Sequence, residues 1–153
     1  MKLYLVRHGQ NNSVDRDPEK NLSEQGRKDV VKVAEFLKNA AVFTEDIYHS
    51  GKRRALQTAE ILAGAVLLNG KIRAHDFLQP DDPVEKIAKE IEERNSDLMI
   101  VGHMPFLGKL VSFLFSGLER SDELIEFERG SVLCLERFSG KWQVKWMLVP
   151  DLL

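Results

Sequence analysis

One cysteine, Cys134, is all the sequence holds, which excludes an intramolecular disulfide framework and any site built from several thiolates. An excess of charge is missing too: 22 Lys+Arg stand against 24 Asp+Glu, a formal net charge of -2. Nucleic-acid-binding domains normally carry a strongly basic face, so no nucleic-acid partner is expected. Long apolar runs are also lacking. The longest uncharged stretch, Leu98–Gly108, is 11 residues and includes Gly102, His103 and Pro105. Crossing a bilayer takes about 20 apolar residues, so no membrane partner is expected. The run Met1–Arg7 is too short for a signal peptide, and the expected location is the cytoplasm.

What remains is a chain of 153 residues, 43% hydrophobic and 30% charged, the composition of a folded soluble protein. Its length suits one domain spanning 1–153, since domains run to about 100–200 residues. Lys2–Arg7 reads as a buried strand, followed by a polar loop over His8–Asn21. Ser23 is an N-cap candidate for a helix ending near Ala40, with Val30, Val33, Phe36 and Leu37 as its apolar face. Asp46–Ser50 and Lys71–His75 read as strands, and Lys52–Ala65 as a helix with Leu56, Ala59, Ile61 and Leu62 turned inward. Pro83 suits the first turn of a helix reaching about Arg94. Leu98–Val101 is a strand covered on both faces, and Pro105 opens a further helix. Ser131–Phe138 and Trp142–Val149 form strands around the turn Ser139-Gly140. The alternation predicts an α/β three-layer sandwich, its central sheet mostly parallel, flanked by helices, with an antiparallel element at the end.

Three clusters could carry chemistry. Arg7-His8-Gly9 falls at the end of the first strand, where open α/β sheets place ligands; the triplet alone is equally compatible with His8 bonding its own loop. Lys52-Arg53-Arg54 stands where a strand gives way to a helix, and a helix N-terminus with a guanidinium favours an anion. Helical geometry cannot aim all three at one spot, so Lys52 and Arg53 read as solvated. Gly102-His103-x-Pro105 again ends a strand before a helix. Two guanidiniums and two imidazoles together suit a phosphoryl group, whose transfer depends on positioning and charge neutralisation. No pair of histidines has zinc-ligand spacing such as H-E-x-x-H.

With Arg7-His8-Gly9, Leu22-Ser23 and Gly26, Ser50 with Arg54-Ala55-x-Gln57-Thr58, and Gly102-His103-x-Pro105, the chain resembles the histidine phosphatase superfamily, whose fold is phosphoglycerate mutase-like. Leu78-x-Pro80 and Trp146…Pro150 are similar to its small bacterial phosphohistidine phosphatases. The resemblance implies that His8 is the nucleophile, forming a covalent phosphohistidine that water hydrolyses. It implies that Arg7, Arg54 and His103 bind the phosphoryl group, taking the place of a divalent cation, so neither metal nor other cofactor is expected. Neighbouring guanidiniums would keep His8 neutral and nucleophilic. A protonated His103 would be a further donor to the phosphate. Among Gln10, Asn11 and Asn12, Gln10 is best placed to touch it.

The chain departs from that family at three places. Gly51 stands where proline is common, which predicts a looser turn before Arg54. Lys20 stands where an arginine is usual, weakening one anion contact. The general acid of the phosphomonoesterases maps to Asp76–Asp82, where Asp81 and Asp82 are candidates, although they read more readily as polar residues ahead of the helix at Pro83. An alkoxide leaving group needs a proton, whereas a phosphorylated imidazole can leave neutral when its other nitrogen is protonated. A small open site without an evident acid therefore suits phosphohistidine on a protein such as a phosphotransfer domain. The alternatives are a phosphomonoesterase acting on a small phosphorylated metabolite, with Asp81 or Asp82 as acid, or a non-catalytic phosphate-binding module. Among the remaining residues, His49 reads as solvated or at the rim of the site, and His75 as surface. Cys134 reads as core. Trp142 and Trp146, four apart, are expected on one face of their strand.

Overall fold

The computed structural model describes residues 1–120 and 124–153. Six strands form one sheet: β1 (Lys2–Arg7), β2 (Asp46–His49), β3 (Ile72–Ala74), β4 (Leu98–Gly102), β5 (Val132–Phe138) and β6 (Lys141–Leu148). Their order is β3-β2-β4-β1-β5-β6. β3, β2, β4 and β1 run parallel, and β5 and β6 are antiparallel additions. Four helices connect them: α1 (Glu24–Asn39), α2 (Arg53–Val66), α3 (Glu85–Glu93) and α4 (Phe106–Ser116).

Period-two alternation sorts each central strand between two cores. Leu3 and Leu5 of β1, with Leu98 and Ile100 of β4, pack against Ile87 and Ile91 of α3 and Leu107 and Leu110 of α4. Tyr4 and Val6, with Met99 and Val101, pack against Val30, Val33 and Leu37 of α1 and Ala55, Ala59 and Leu62 of α2. Each such leucine or isoleucine contributes roughly 1.5–3 kcal/mol by leaving water. The result is the expected three-layer sandwich around a mixed sheet.

Ser23 caps α1 as its sequence position predicts, its Oγ accepting from the Gly26 N–H at 3.0 Å. Several edges move inward. α3 begins at Glu85 rather than at Pro83, and β3 shrinks to three residues. Phe36 is not on the inner face of α1; it is 47% exposed, and Ala34 takes the buried position. Leu56 and Ile61 are half-buried. The two tryptophans correct the sequence reading most clearly. Cys134 pairs with Trp146 but Leu135 pairs with Val144, so Lys145 is an extra residue in β6. That bulge resets the alternation: Trp142 packs with the α3–α4 core and Trp146 with the α1–α2 core. Cys134 is fully buried, as expected.

Candidate active site

The register of β1 on β4 sets Arg7 beside Gly102, and the His8 N–H donates to the Gly102 carbonyl at 3.0 Å. The next residues out, His8 and His103, therefore meet at the carboxyl ends of adjacent parallel strands, their ring centroids 5.0 Å apart. The third strand end, β2, delivers α2, whose second residue is Arg54. Its Nε donates to His8 Nε2 at 3.4 Å. Arg7, His8, Arg54 and His103 thus line one cleft of about 220 Å³. A larger cavity of about 410 Å³ lies at the opposite end of the sheet, under Lys2, Tyr4 and Trp146, and holds none of the predicted residues.

The motif residues around His8 explain its placement. The Gly9 N–H donates to Thr58 Oγ1 at 3.0 Å, and that hydroxyl donates to the Arg54 carbonyl at 2.7 Å. Gln57 accepts from the Leu22 N–H and donates to Asn21. A Cβ at Gly26 would sit 2.0 Å from the Gln10 carbonyl oxygen, so only glycine lets α1 lie against the loop after His8. The Ser23 N–H donates to that same carbonyl.

Both imidazoles are buried, 5% exposed at His8 and 2% at His103. His8 Nδ1 lies 2.7 Å from the Gly9 carbonyl, which can only accept. The proton therefore sits on Nδ1 and the lone pair on Nε2, the nitrogen that Arg54 meets. Burial is the largest influence on His8 and lowers its pKa to about 4; the Gly9 bond opposes this, and Arg54, Arg7 and Arg129 reinforce it. Burial likewise lowers His103 to about 3, aided by His8, Arg54, Lys52 and Arg7. Desolvation thus outweighs the guanidiniums that the sequence suggests as the cause. Both rings are therefore neutral at pH 7, and the condition under which His103 would be a charged donor is not met in the free protein. Its Nε2 lies 2.6 Å from Ser50 Oγ, and its Nδ1 is buried without a hydrogen-bond partner.

Other predicted residues fall outside the cleft. Gln10 is exposed, its Oε1 lying 3.5 Å from Ser23 Oγ, while its neighbour Asn11 lines the wall. Asp81 is exposed, and Asp82 accepts from the Gln79 N–H at 2.8 Å. Pro80 is the residue of this segment that reaches the cleft. Gln79 donates to the Ser50 carbonyl at 2.6 Å, tying the segment to the end of β2. His49 is buried rather than solvated, its Nδ1 accepting from the Gly51 N–H at 3.1 Å. Gly51 has φ +87°, a conformation closed to proline, so the turn is specified by this bond and not loosened. His75 is not a bare surface residue; it bonds Glu90 at 2.8 Å and stacks on Tyr48.

Two cations at the cleft mouth complete the wall: Lys20 and Arg129. Sequence reasoning singles out Lys20 and misses Arg129. Among the described residues no three His, Cys, Asp or Glu side chains converge as a metal site, and no helix is long and apolar enough to cross a membrane.

A family model, the histidine phosphatase superfamily (branch 1), matches residues 3–79. The chain belongs to the histidine phosphatase superfamily. Solved structures of this histidine phosphatase fold agree. The protein histidine phosphatase SixA complexed with tungstate is 22% identical, with a TM-score of 0.85, covering 99% of this chain and 98% of that one. A SixA described as a phosphohistidine phosphatase of Agrobacterium tumefaciens is 20% identical, with a TM-score of 0.77 and 97% of each chain covered. Phosphoserine phosphatase from Entamoeba histolytica, in complex with 3-phosphoglyceric acid, is 16% identical, with a TM-score of 0.72 and 95% of each chain covered. No curated protein matches the sequence. These likenesses establish the phosphoglycerate mutase-like fold of this phosphatase superfamily.

Proposed function

We propose that this histidine phosphatase removes the phosphoryl group of phosphohistidine on a protein, such as a phosphotransfer domain, residues 1–153 working as one cytoplasmic domain. The lone pair on His8 Nε2 attacks phosphorus as the substrate's P–N bond breaks. The electrons of that bond go to the departing imidazole, which leaves neutral if its other nitrogen is protonated. His8 Nδ1–H stays bonded to the Gly9 carbonyl and supports the positive charge that phosphorylation places on the ring. Arg7, Arg54 and His103 hold the phosphoryl oxygens. Water then attacks phosphorus, the His8–P pair returns to Nε2, and the product phosphate keeps the hydroxyl and takes the second proton.

One observation carries the choice of a P–N bond. The lining residues are cations, imidazoles, Asn11, Pro80 and Met104, with no carboxyl group among the described residues. A phosphate ester needs an acid to protonate its alkoxide, and the two aspartates proposed from sequence stand outside the lining. The SixA structures named above support the same reading by fold. The test compares turnover of a phosphorylated phosphotransfer domain with that of sugar phosphates and p-nitrophenyl phosphate. Phosphohistidine is expected to turn over fastest, with acid-labile phosphate trapped on His8 and absent from His8→Ala. Faster turnover of the esters would overturn the assignment.

A further inference from the structure

We propose that Arg129 is a specificity residue, receiving a carboxylate that the substrate carries beside its phosphoryl group. The inference rests on reading the cleft as the phosphoryl site. Arg129 belongs to the segment that precedes β5, and this segment is bolted to the nucleophile strand. The Gly130 N–H donates to both the Arg7 and His8 carbonyls, at 3.0 and 3.1 Å, and the Arg7 N–H donates to the Ser131 carbonyl. Arg7 Nη1 donates to the Phe127 carbonyl at 2.6 Å, and the Phe127 ring is buried in the α3–α4 core. Ser131 closes the turn, its N–H and its hydroxyl both donating to the Glu128 carbonyl. The backbone on either side of Arg129 is therefore fixed relative to His8.

The side chain, by contrast, is exposed and lines the cleft. Among the described residues none ion-pairs with its guanidinium or accepts a hydrogen bond from it. Its charge is nonetheless felt at His8 and at Arg54. Position indicates its use. Arg7 and Arg54 are half-buried guanidiniums beside His8, where the phosphoryl group is received, and Arg129 lines the exposed side of the same cleft. A group that the substrate carries beside its phosphoryl end meets Arg129 there. A planar guanidinium pairs with a carboxylate through two parallel hydrogen bonds. On a protein substrate the matching feature is an Asp or Glu flanking the phosphohistidine.

Two inert probes separate the groups: methylphosphonate, which carries the phosphoryl-like end alone, and phosphonoacetate, which adds a carboxylate. Calorimetry gives both Kd values for the native protein, Arg129→Gln and Arg53→Gln, with the His8 imidazole NMR signals reporting occupancy. Arg53 is exposed outside the cleft and ion-paired with Glu19, so its variant controls for loss of one charge. The native protein is expected to bind phosphonoacetate about 10-fold tighter, as one charge-assisted contact allows. That ratio should survive in Arg53→Gln and fall to about 2-fold or less in Arg129→Gln. A native ratio near one, a ratio that Arg129→Gln keeps or that Arg53→Gln loses, or equal weakening of both probes in Arg129→Gln would each overturn the proposal. Failure of both probes to perturb His8 would overturn it together with the phosphoryl assignment. The ratio does not depend on whether phosphohistidine or an ester proves to be the substrate.

Discussion

His8 is kept neutral by its surroundings, and neutrality is what the role proposed for it, nucleophile, requires. With burial leading and Arg54 the largest of the charge effects, its pKa lies at about 4. In an NMR titration the His8 ring should begin to protonate only near that pH, and Arg54→Gln should raise the midpoint; a native midpoint above 6 would contradict the desolvation argument. The sign for stability follows. Both His8 and His103 titrate lower in the folded chain than in the unfolded one, where histidine sits near 6.5. The unfolded chain therefore binds more protons between those values, and stability falls as pH drops from about 6.5 toward 4. Urea midpoints across that range should show the fall, and His8→Gln should flatten it. Arg7, His8 and His103 were legible in the sequence because each stands at the end of a strand that its apolar run marks, and Arg54 because it opens the helix that follows one. The choice of Asn11 over Gln10 was not, because it depends on how the loop after His8 turns once its carbonyl meets Ser23.

Elements place these residues through backbone contact more than through side chains. α1 lies against the loop at Gln10, where any Cβ on Gly26 would collide with the carbonyl. Gly26→Ala should therefore push α1 off that loop, lowering stability by about 1–3 kcal/mol and reducing kcat. Thermal melts and kinetics measure the two effects, and an unchanged kcat would show that the loop does not depend on the helix. The capped start of α1 and the buried strand β4 could be read directly, since a serine before an amphipathic run and an uninterrupted apolar run have local causes. The faces of Trp142 and Trp146 could not, because the bulge at Lys145 arises from pairing with β5 and leaves no mark in the spacing. Gly51 belongs to the same class. Its positive φ is set by the His49 and Ser50 contacts of the turn, which a comparison of residue types does not show.

For the whole molecule, a net charge of -2 coexists with a cleft walled by cations, so the field that a substrate meets is local. Anionic substrates should be drawn in electrostatically, and kcat/KM should fall several-fold as ionic strength rises from roughly 0.02 to 0.3 M. A salt-independent kcat/KM would mean that the cleft cations act only after contact. The parallel half of the sheet was legible from alternating strands and helices. Arg129 was missed because its position depends on β5 running antiparallel to β1, which brings the residues before one strand to the end of the other. That pairing has a consequence for synthesis. β5 covers one edge of β1, the other edge being taken by β4. Until β5 has been made, that edge of β1 carries an unpaired row of N–H and C=O groups, although β1 and His8 precede β5 by more than a hundred residues. Only when β5 arrives is that row filled and Gly130 bonded behind His8. The cleft is thus completed only after β5 has paired with β1.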